Sequence, residues 1–288
     1  NNGAFVPMGL VNNSSFIYED TFNPTDAVIT ARGEVYFISN GKVYYYSSNL
    51  LYRPGKHDKE YQWSHPAMYV GYMFAFDELS KKYYVLKNQI NDPLNGLMAD
   101  YNALDRVVEI HDQPSYEGQT FIYNTVTMEG DEFVLWLVTT ENGKINLSSL
   151  MYLDYRQEQE GVAEINERGR FRSKESLTLD GVDEHTQVIL VNSNDWYFVI
   201  GNKVYTSPVV KPKLSEFATL PPDLGSPTAI GLSSKGSKLL VSMYDENSSH
   251  ENKGSFVEVE LTSKEIKAHR NVMGKCITVK GFDANPWW

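Results

Sequence analysis

DAVITARGEVYFISNGKVYYYSS, residues 26–48, contains the clearest pattern of strands and turns in the chain. Two runs of β-branched and aromatic residues, Val35–Ile38 and Val43–Tyr46, flank the dipeptide Asn40-Gly41. Asn-Gly is favoured in two-residue hairpin loops because both residues tolerate the positive φ angles of a type I′ turn. With a second turn at Arg32-Gly33, the stretch predicts three antiparallel strands whose apolar runs suit a sheet buried on both faces.

Weaker copies of this unit recur along the chain. The link between the second and third strand reads ISNGKVY at 38–44, TENGKIN at 140–146 and IGNKVY at 200–205. Repeated four-stranded units of roughly 40–60 residues are typical of blades arranged radially around an axis, because one blade cannot bury both of its faces alone. The pattern therefore predicts an all-β fold, a β-propeller of four-stranded antiparallel blades.

Five fairly complete units fit between Asp26 and about Val272. A hairpin within residues 1–22 and a strand at 276–279 are left over, and together they would complete one more blade. We therefore expect a single domain over residues 1–288 with six blades, or seven if the long loops contain another. In this prediction, strands from both ends of the chain close the ring.

A β-sandwich, or two in series, is the alternative that the same strands allow. Near-continuous apolar runs such as Phe133–Val138 favour sheets covered on both faces, whereas sandwich sheets usually leave one face wet. No long amphipathic helix is apparent in the sequence, which argues against an α/β enzyme. The most charged stretch, residues 157–176, is predicted to be a short helix or an excursion loop.

The charge balance argues against a nucleic-acid partner. The chain has 26 Lys and Arg against 37 Asp and Glu, a net charge of −11, and its basic residues are scattered. Proteins that bind a phosphate backbone normally carry a basic stripe. The densest basic segment, Arg168-Gly-Arg170-Phe-Arg172, is flanked by Glu164, Glu167 and Glu175, so we interpret it as a solvated loop. No run is long enough to span a membrane, and the abrupt start at Asn1 is typical of a processed or trimmed protein.

The style of the blades resembles a known group of proteins. The short Tyr- and Asn-rich units at 35–48 and 196–206, with hairpins of the Asn-Gly-Lys-Val-Tyr type, are similar to the propeller region of large Bacteroidetes lipoproteins. Those lipoproteins often carry PKD-like modules and accompany outer-membrane glycan-uptake systems. The resemblance implies an exported protein in the periplasm or on the outer-membrane surface, held by a lipid anchor upstream of Asn1, with a non-catalytic role. Trp-Asp blade endings and kelch-type paired glycines do not occur in the sequence.

Catalytic and metal motifs are not recognisable. No nucleophile elbow, phosphate-cradling glycine loop or His-Glu-x-x-His occurs, and no two of the six histidines have the i,i+4 spacing of zinc ligands. The nearest approach to a calcium loop, Asp180-Gly-Val-Asp183-Glu184, lacks alternating acids and fits a solvated turn better. We therefore predict no cofactor, with a structural calcium ion as an unsupported option.

Aromatic residues in one polar segment give the candidate ligand-binding site. Tyr61 and Trp63 lie in a predicted loop together with His57 and His65. Exposed aromatic rings beside polar groups are suited to stacking on sugars or to anchoring protein interfaces. Trp136 and Trp196 lie in mid-strand and are predicted to fill the packing between blades.

These features lead to three functional hypotheses. The first is a non-catalytic module of an exported bacterial protein that recognises a glycan on one face of a propeller. The second is a protein–protein interaction scaffold, which would show an apolar patch with a polar rim. The third is a glycoside hydrolase or lyase, which would need carboxylates converging in the central channel with perturbed pKa values. The expected partner is a glycan or a protein, reached without nucleic acid and with membrane contact only through an upstream anchor.

Overall fold

The computed structural model describes residues 24–29, 35–47, 50–52, 61–69, 72–87, 106–159, 162–178, 181–183, 185–233 and 235–276. Within these ranges, twenty strands form five four-stranded antiparallel sheets. The strands are β1 (Pro24–Ile29), β2 (Val35–Ser39), β3 (Lys42–Ser47), β4 (Leu50–Tyr52), β5 (Trp63–Tyr69), β6 (Tyr72–Asp77), β7 (Lys82–Lys87), β8 (Arg106–Glu109), β9 (Thr120–Glu129), β10 (Glu132–Glu141), β11 (Lys144–Gln159), β12 (Val162–Thr178), β13 (Gln187–Val191), β14 (Asp195–Ile200), β15 (Lys203–Pro208), β16 (Ser215–Thr219), β17 (Ser226–Leu232), β18 (Lys238–Tyr244), β19 (Gly254–Glu260) and β20 (Ile266–Met273). A 3-10 helix, Pro222–Leu224, precedes β17.

Each sheet is a meander whose strands pair in chain order, so that β1–β4, β5–β8, β9–β12, β13–β16 and β17–β20 are blades 1 to 5. The first strands of successive blades are neighbours: β1 contacts β5, β5 contacts β9, β9 contacts β13, and β13 contacts β17. First strands that adjoin in this way line a common axis, with the later strands of each blade further out. The prediction of an all-β propeller with four-stranded blades is confirmed.

The number of described blades is five, whereas the sequence pattern predicted six. The strands assigned to a sixth blade fall within residues 1–22 and 276–279, of which the structure describes only Cys276. Ring closure by the two ends of the chain therefore lies outside the described residues and stays a prediction.

The turns that organise the blades have the predicted geometry. Asn40 and Gly41 have φ angles of 50° and 74°, and Asn142 and Gly143 have φ angles of 51° and 74°. Positive φ at both central residues is the requirement of a type I′ hairpin turn. The other predicted turn of the first unit, Arg32-Gly33, lies outside the described residues.

The interpretation of residues 157–176 as a helix or loop was wrong. Those that the structure describes, 157–159 and 162–176, belong to β11 and β12, which pair from Lys144 opposite Thr178 to Gln159 opposite Val162 with one shift of register between Ser149 and Leu150. Charged residues are tolerated there because β12 is the outermost strand of blade 3: Arg168 and Arg170 are exposed, while Gly169 between them is buried. The arginine-rich segment is thus solvated, as predicted, but it is a strand and not a loop.

The sequence pattern also placed the start of blade 2 too late. Its inner strand begins at Trp63, inside the polar segment with Tyr61 and His65 that the sequence predicts to be a loop. The register between β5 and β6 shifts between Ser64 and Ala67, and His65 has a φ of 47°. This irregularity accommodates Pro66, which has no N–H group for the ladder. Because Pro66 interrupts the alternation of side chains along β5, the sequence pattern did not indicate a strand here.

The apolar core lies between the blades. The clusters join the facing sides of neighbouring sheets, as with Phe74 and Val85 of blade 2 against Leu135 and Leu150 of blade 3. Blades 3 and 4 pack through Trp136 and Trp196, which are 8% and 1% exposed, so the prediction that these tryptophans fill inter-blade packing is confirmed. Sheets with both faces covered explain the near-continuous apolar runs of β6 and β10.

Candidate functional site

Because the strands within each blade are antiparallel, three kinds of segment lie at the same end of the propeller. The inner strand of a blade begins there, its second strand ends there, and the chain enters the next blade there. We call this end the upper face. At blades 2 and 3 it collects the start of β5, the turn 78–81, the connection 110–119 and the start of β9.

A cavity of about 300 Å³ lies at the upper face between blades 2 and 3. Its size is at the lower end of the range for small-molecule pockets. We call it the blade 2–3 pocket. It is lined by His65, Phe76, Glu78, Lys81, Tyr116, Glu117, Gly118, Gln119, Thr120 and Phe121.

Aromatic rings form one wall of the blade 2–3 pocket. The ring centroids of Phe76 and Phe121 are 4.7 Å apart, and that of Tyr116 lies 5.3 Å from Phe121 and 5.8 Å from Phe76. Behind them, Tyr83 is fully buried with its centroid 5.6 Å from that of Phe121. Because these rings brace one another, the wall is held in place before any ligand arrives.

The turn at the pocket rim is fixed by a buried carboxylate. Asp77 is 1% exposed, and its Oδ1 accepts hydrogen bonds from the backbone N–H of Gln62 at 2.7 Å and of Leu79 at 3.3 Å. Its Oδ2 accepts another from the N–H of Ser80 at 2.9 Å. A carboxylate that satisfies several backbone donors in this way sets the path of the turn that carries Glu78 and Lys81.

The connection that carries Tyr116 to Gln119 is fixed by a glutamine. Gln113 accepts a hydrogen bond from the backbone N–H of Tyr83 at 2.8 Å and donates to its carbonyl oxygen, also at 2.8 Å. It donates as well to the carbonyl oxygen of Ile110 at 2.6 Å. The side chain of Gln113 thus takes the place of a backbone partner beyond the end of β8, and it holds the connection against β7.

Glu78 is held in its ionised form. Its Oε1 accepts a hydrogen bond from Ser64 at 2.6 Å, and its Oε2 lies 2.8 Å from the Lys81 ammonium. Burial raises the pKa of Glu78, but the hydrogen bonds from Lys81 and Ser64 outweigh burial and leave that pKa below its ordinary value. Glu78 is therefore suited to accept hydrogen bonds from a ligand and poorly suited to act as a general acid.

His65 joins three blades at the pocket. Its ring lies 4.9 Å from that of Phe121, and its backbone carbonyl accepts a hydrogen bond from the side-chain amide of Asn124 on β9. Burial lowers the pKa of His65, and the negative charges of Asp26 in blade 1 and Glu78 in blade 2 offset only part of this effect. The imidazole is accordingly neutral near pH 7, able both to donate and to accept one hydrogen bond.

Three of the four residues predicted for ligand binding are described by the structure, and these three do not line one pocket. His65 lines the blade 2–3 pocket, whereas Trp63 is 3% exposed and stacks on half-buried Tyr61 at 4.6 Å in the core between blades 1 and 2. The fourth, His57, lies outside the described residues. The expectation of an exposed ring therefore does not describe Trp63; any contact of Tyr61, Trp63 or His57 with a ligand stays a prediction.

Most lining residues of the pocket were not identified from the sequence. Phe76 and Phe121 lie in strand patterns that predict core, and Tyr116 to Gln119 form a polar connection without any motif. Phe76 is far in the chain from the stretch 116–121, and the two meet only because blade 2 adjoins blade 3. The one usable signal was the placement of the connection between two blades, which is where propeller loops converge.

Within the described residues, no group of three or more His, Cys, Asp or Glu side chains is arranged to hold a metal ion. Of the predicted calcium-like turn, Asp180 and Glu184 lie outside those residues. Asp183 accepts a hydrogen bond from the N–H of His185 at 2.9 Å and thereby closes a local turn. Among the described residues there is also no helix of the length and apolar character needed to cross a membrane.

Replacing His65 with glutamine is expected to make the free energy of unfolding fall less steeply as the pH is lowered into the mildly acidic range. Because burial holds the pKa of folded His65 below its ordinary value of about 6.5, the unfolded chain takes up this proton first as the pH falls. The contribution of His65 is therefore complete above pH 6.5 and declines below it. Denaturant unfolding between about pH 7 and pH 5 measures this slope, with His250→Gln as an exposed control; equal slopes for the wild type and His65→Gln would contradict the assignment.

The fold and the pocket define a propeller with a small-ligand cavity between two blades. No protein-family model matches the sequence, and no curated protein is similar to it at a significant level. Solved structures do match in fold. One is the extracellular domain of the B. thetaiotaomicron protein BT4673, which is classed as a one-component system, with a TM-score of 0.50, 13% identity, and coverage of 89% of this chain and 29% of that chain.

A chain of the nidogen/laminin complex matches at a TM-score of 0.50 and 12% identity, covering 86% of this chain and 82% of that chain. A Bacteroides caccae protein of unknown function matches at a TM-score of 0.42 with 12% identity, covering 82% of this chain and 69% of that chain. At these identities the likeness concerns the fold alone. The chain also spans less than a third of the BT4673 domain structure that it matches.

Proposed function

We propose that this propeller is a non-catalytic sugar-binding module of an exported bacterial protein, and that it recognises a glycan at the blade 2–3 pocket. The observation that carries the proposal is the pairing of an aromatic wall with hydrogen-bonding side chains around one cavity. Phe76, Tyr116 and Phe121 supply the wall, and polar groups such as Glu78 and Gln119 line the rest.

The chemistry of a sugar fits this lining. A pyranose ring has apolar C–H faces that pack on aromatic rings and a rim of hydroxyl groups that need donors and acceptors. Glu78 is ionised and accepts hydrogen bonds, and neutral His65 offers one donor and one acceptor. The cavity of about 300 Å³ suits one sugar unit, with the remainder of a glycan extending over the upper face.

Binding is favoured over hydrolysis by the state of the carboxylate at the pocket. A glycoside hydrolase needs one carboxyl group with a raised pKa to protonate the leaving oxygen. The pKa of Glu78 is instead held low by Lys81 and Ser64, against the effect of burial. This is the chemistry of a hydrogen-bond acceptor in a receptor.

The location outside the cytoplasm is part of the same proposal. It is supported by the sequence resemblance to exported Bacteroidetes lipoproteins and by the extracellular setting of the BT4673 domain, whose fold is comparable over 89% of this chain. A lipid anchor upstream of Asn1 and residence at the outer membrane are the finer parts of this proposal. Fractionation of the source bacterium, with antibody labelling of intact and opened cells, tests the location.

A protein-docking scaffold is the second candidate. Leu79 is 60% exposed in the turn 78–81 at the pocket rim, a position where an apolar side chain could anchor a partner protein. If the pocket binds sugar and Leu79 contributes nothing, Leu79→Ser will leave glycan binding unchanged. If the upper face docks a protein, Leu79→Ser will weaken capture of that partner while the pocket variants have no effect.

A broad glycan array, probed with the purified chain and three variants, tests the proposal. We expect saturable binding that Phe121→Ala and Glu117→Ala each weaken about tenfold or more, because the first removes the wall and the second a polar lining group. Glu117 is exposed, so its variant will fold even if Phe121→Ala does not.

Phe217→Ala is the matched control, since Phe217 is a half-buried ring in blade 4 that packs on Tyr197 away from the pocket. Binding that survives both pocket variants, or no binding on the array, would overturn the proposal. Binding lost equally in Phe217→Ala would indicate a general effect on folding and would also count against the pocket.

A further inference from the structure

The charged groups around the blade 2–3 pocket are unequal in sign. Three carboxylates belong to this region: Glu78 and Glu117 in the lining and Asp26 close enough to act on His65. Lys81 is the cationic side chain in the lining, and His65 is neutral near pH 7. Among the described residues, these three negative charges against one positive charge leave a local net charge of −2, in a chain whose net charge is −11.

The positive charge of Lys81 is already committed. Its ammonium lies 2.8 Å from Oε2 of Glu78, so each neutralises the other. Glu117 differs: it is exposed in the lining, and within the described part of the chain no cation lies within salt-bridge distance of its carboxylate. The unbalanced charge at the pocket mouth is therefore negative, and its principal source is Glu117.

The aromatic wall acts in the same direction. The face of Phe121, the half-buried ring of the wall, carries the negative part of the ring quadrupole, which attracts a cation placed over it, while Phe76 and Tyr116, 2% and 4% exposed, support this ring from behind. The rings lie beside Glu117 and Gly118 in the same lining. A ligand ammonium group would thus meet both a carboxylate and the face of Phe121, whereas a ligand carboxylate would meet like charge and, among the described residues of the lining, no cation that is not already paired.

We propose that the blade 2–3 pocket selects its sugar by charge, binding an amino sugar in preference to a neutral sugar and rejecting an acidic sugar such as a uronic acid. This inference rests on the proposed function and adds to it the class of sugar. Glu117 is the residue that sets the preference, by pairing with the amine of the ligand. Lys81 limits the preference, because it neutralises Glu78.

Three methyl glycosides of one hexose series test the inference: those of glucosamine, glucose and glucuronic acid. They share the pyranose ring, with an amine in place of the C2 hydroxyl group in glucosamine and a carboxylate in place of the C6 hydroxymethyl group in glucuronic acid. Calorimetry at near-neutral pH therefore compares a positive, a neutral and a negative ligand of similar size. We expect the amino sugar to bind about threefold to fivefold more tightly than glucose, and glucuronic acid to bind more weakly than glucose by a similar factor, because water screens the charge of the exposed Glu117.

Two pocket variants and one control identify the charge responsible. Glu117→Gln keeps the size of the side chain and should bring the amino sugar and glucose to equal affinity. Lys81→Gln should enlarge the preference for the amine, because Glu78 loses its neutralising partner. Glu265→Gln, which removes an exposed charge from the turn between β19 and β20, should change nothing.

The possible failures are distinguishable. Equal affinity for all three glycosides, or tighter binding of the acidic one, would overturn the charge selection and leave sugar binding intact. A preference that persists in Glu117→Gln would overturn the role of Glu117. If none of the glycosides binds and the array is silent as well, the proposed function fails together with this inference.

Discussion

Replacing Gly169 with alanine is expected to destabilise the propeller by roughly 3 kcal/mol, at the upper end of the cost of overpacking a core. A Cβ at this position would lie 2.9 Å from Cα of Ile110, and the neighbouring carbonyl of Gly169 accepts a hydrogen bond from the N–H of His111 at 3.1 Å. Backbone atoms cannot move aside as the end of a flexible side chain can. Blades 2 and 3 would have to separate where the connection to β9 begins.

Thermal unfolding measures this effect, with a fall in Tm of about 6 °C or more expected from the usual relation between stability and Tm. Gly274→Ala is the matched control, because a Cβ there meets nothing within 4 Å. Sugar affinity should fall with Gly169→Ala and persist with Gly274→Ala, since the connection after Ile110 carries part of the pocket lining. An unchanged Tm for Gly169→Ala would contradict the close approach of the two blades.

Replacing Asp77 with alanine is the second large change, expected to cost at least about 3 kcal/mol, because Asp77 accepts three hydrogen bonds and a single one to a charged group is worth about 1.5–3 kcal/mol. The substitution removes the acceptor for the backbone N–H groups of Gln62, Leu79 and Ser80 at a site that is 1% exposed. It also releases the turn that holds Glu78 and Lys81, so that sugar affinity should fall with stability.

Denaturant titration and calorimetry on the same samples check the two effects together. Asp77→Asn keeps one acceptor oxygen and should retain part of both stability and affinity. Asp223→Ala is the control: its side chain is 62% exposed and pairs with Arg270 on the surface, where an ion pair contributes little. If Asp77→Ala left the affinity unchanged, the turn 78–81 would not be part of the binding site.

The fold could be predicted from the sequence because its signals are local. Asn40-Gly41 and Asn142-Gly143 set hairpins through their own φ preferences, and strands such as β10 have a near-continuous apolar run, Phe133–Val138, because blades cover both faces. The errors have local causes as well. Pro66 interrupts the strand pattern at the start of β5, so that start was not predicted. The charges of residues 157–176 were interpreted as a helix or loop, although they lie largely on an outer strand where side chains such as Arg168 and Arg170 are exposed.

The site could be predicted only in part because it is not local. His65 was identified from its aromatic and polar neighbours, yet the structure separates it from Trp63, which lies on the opposite side of β5 in the core between blades 1 and 2. Phe76 comes from β6, whereas Tyr116 and Phe121 come from the stretch 116–121, and these two segments meet between two blades. The alternation of side chains along a strand decides which residues face a pocket. For Trp63 and His65 this could not be deduced before β5 and the shift in its register between Ser64 and Ala67 were known.

A crystal structure of the chain soaked with the tightest-binding sugar from the array is the most direct test of sugar binding at the blade 2–3 pocket. We expect one sugar unit in the blade 2–3 pocket, with its ring against Phe121 and its hydroxyl or amine groups within hydrogen-bond distance of Glu78, Glu117 or His65. A sugar bound elsewhere, with this pocket empty in a crystal that leaves it open to solvent, would contradict this expectation.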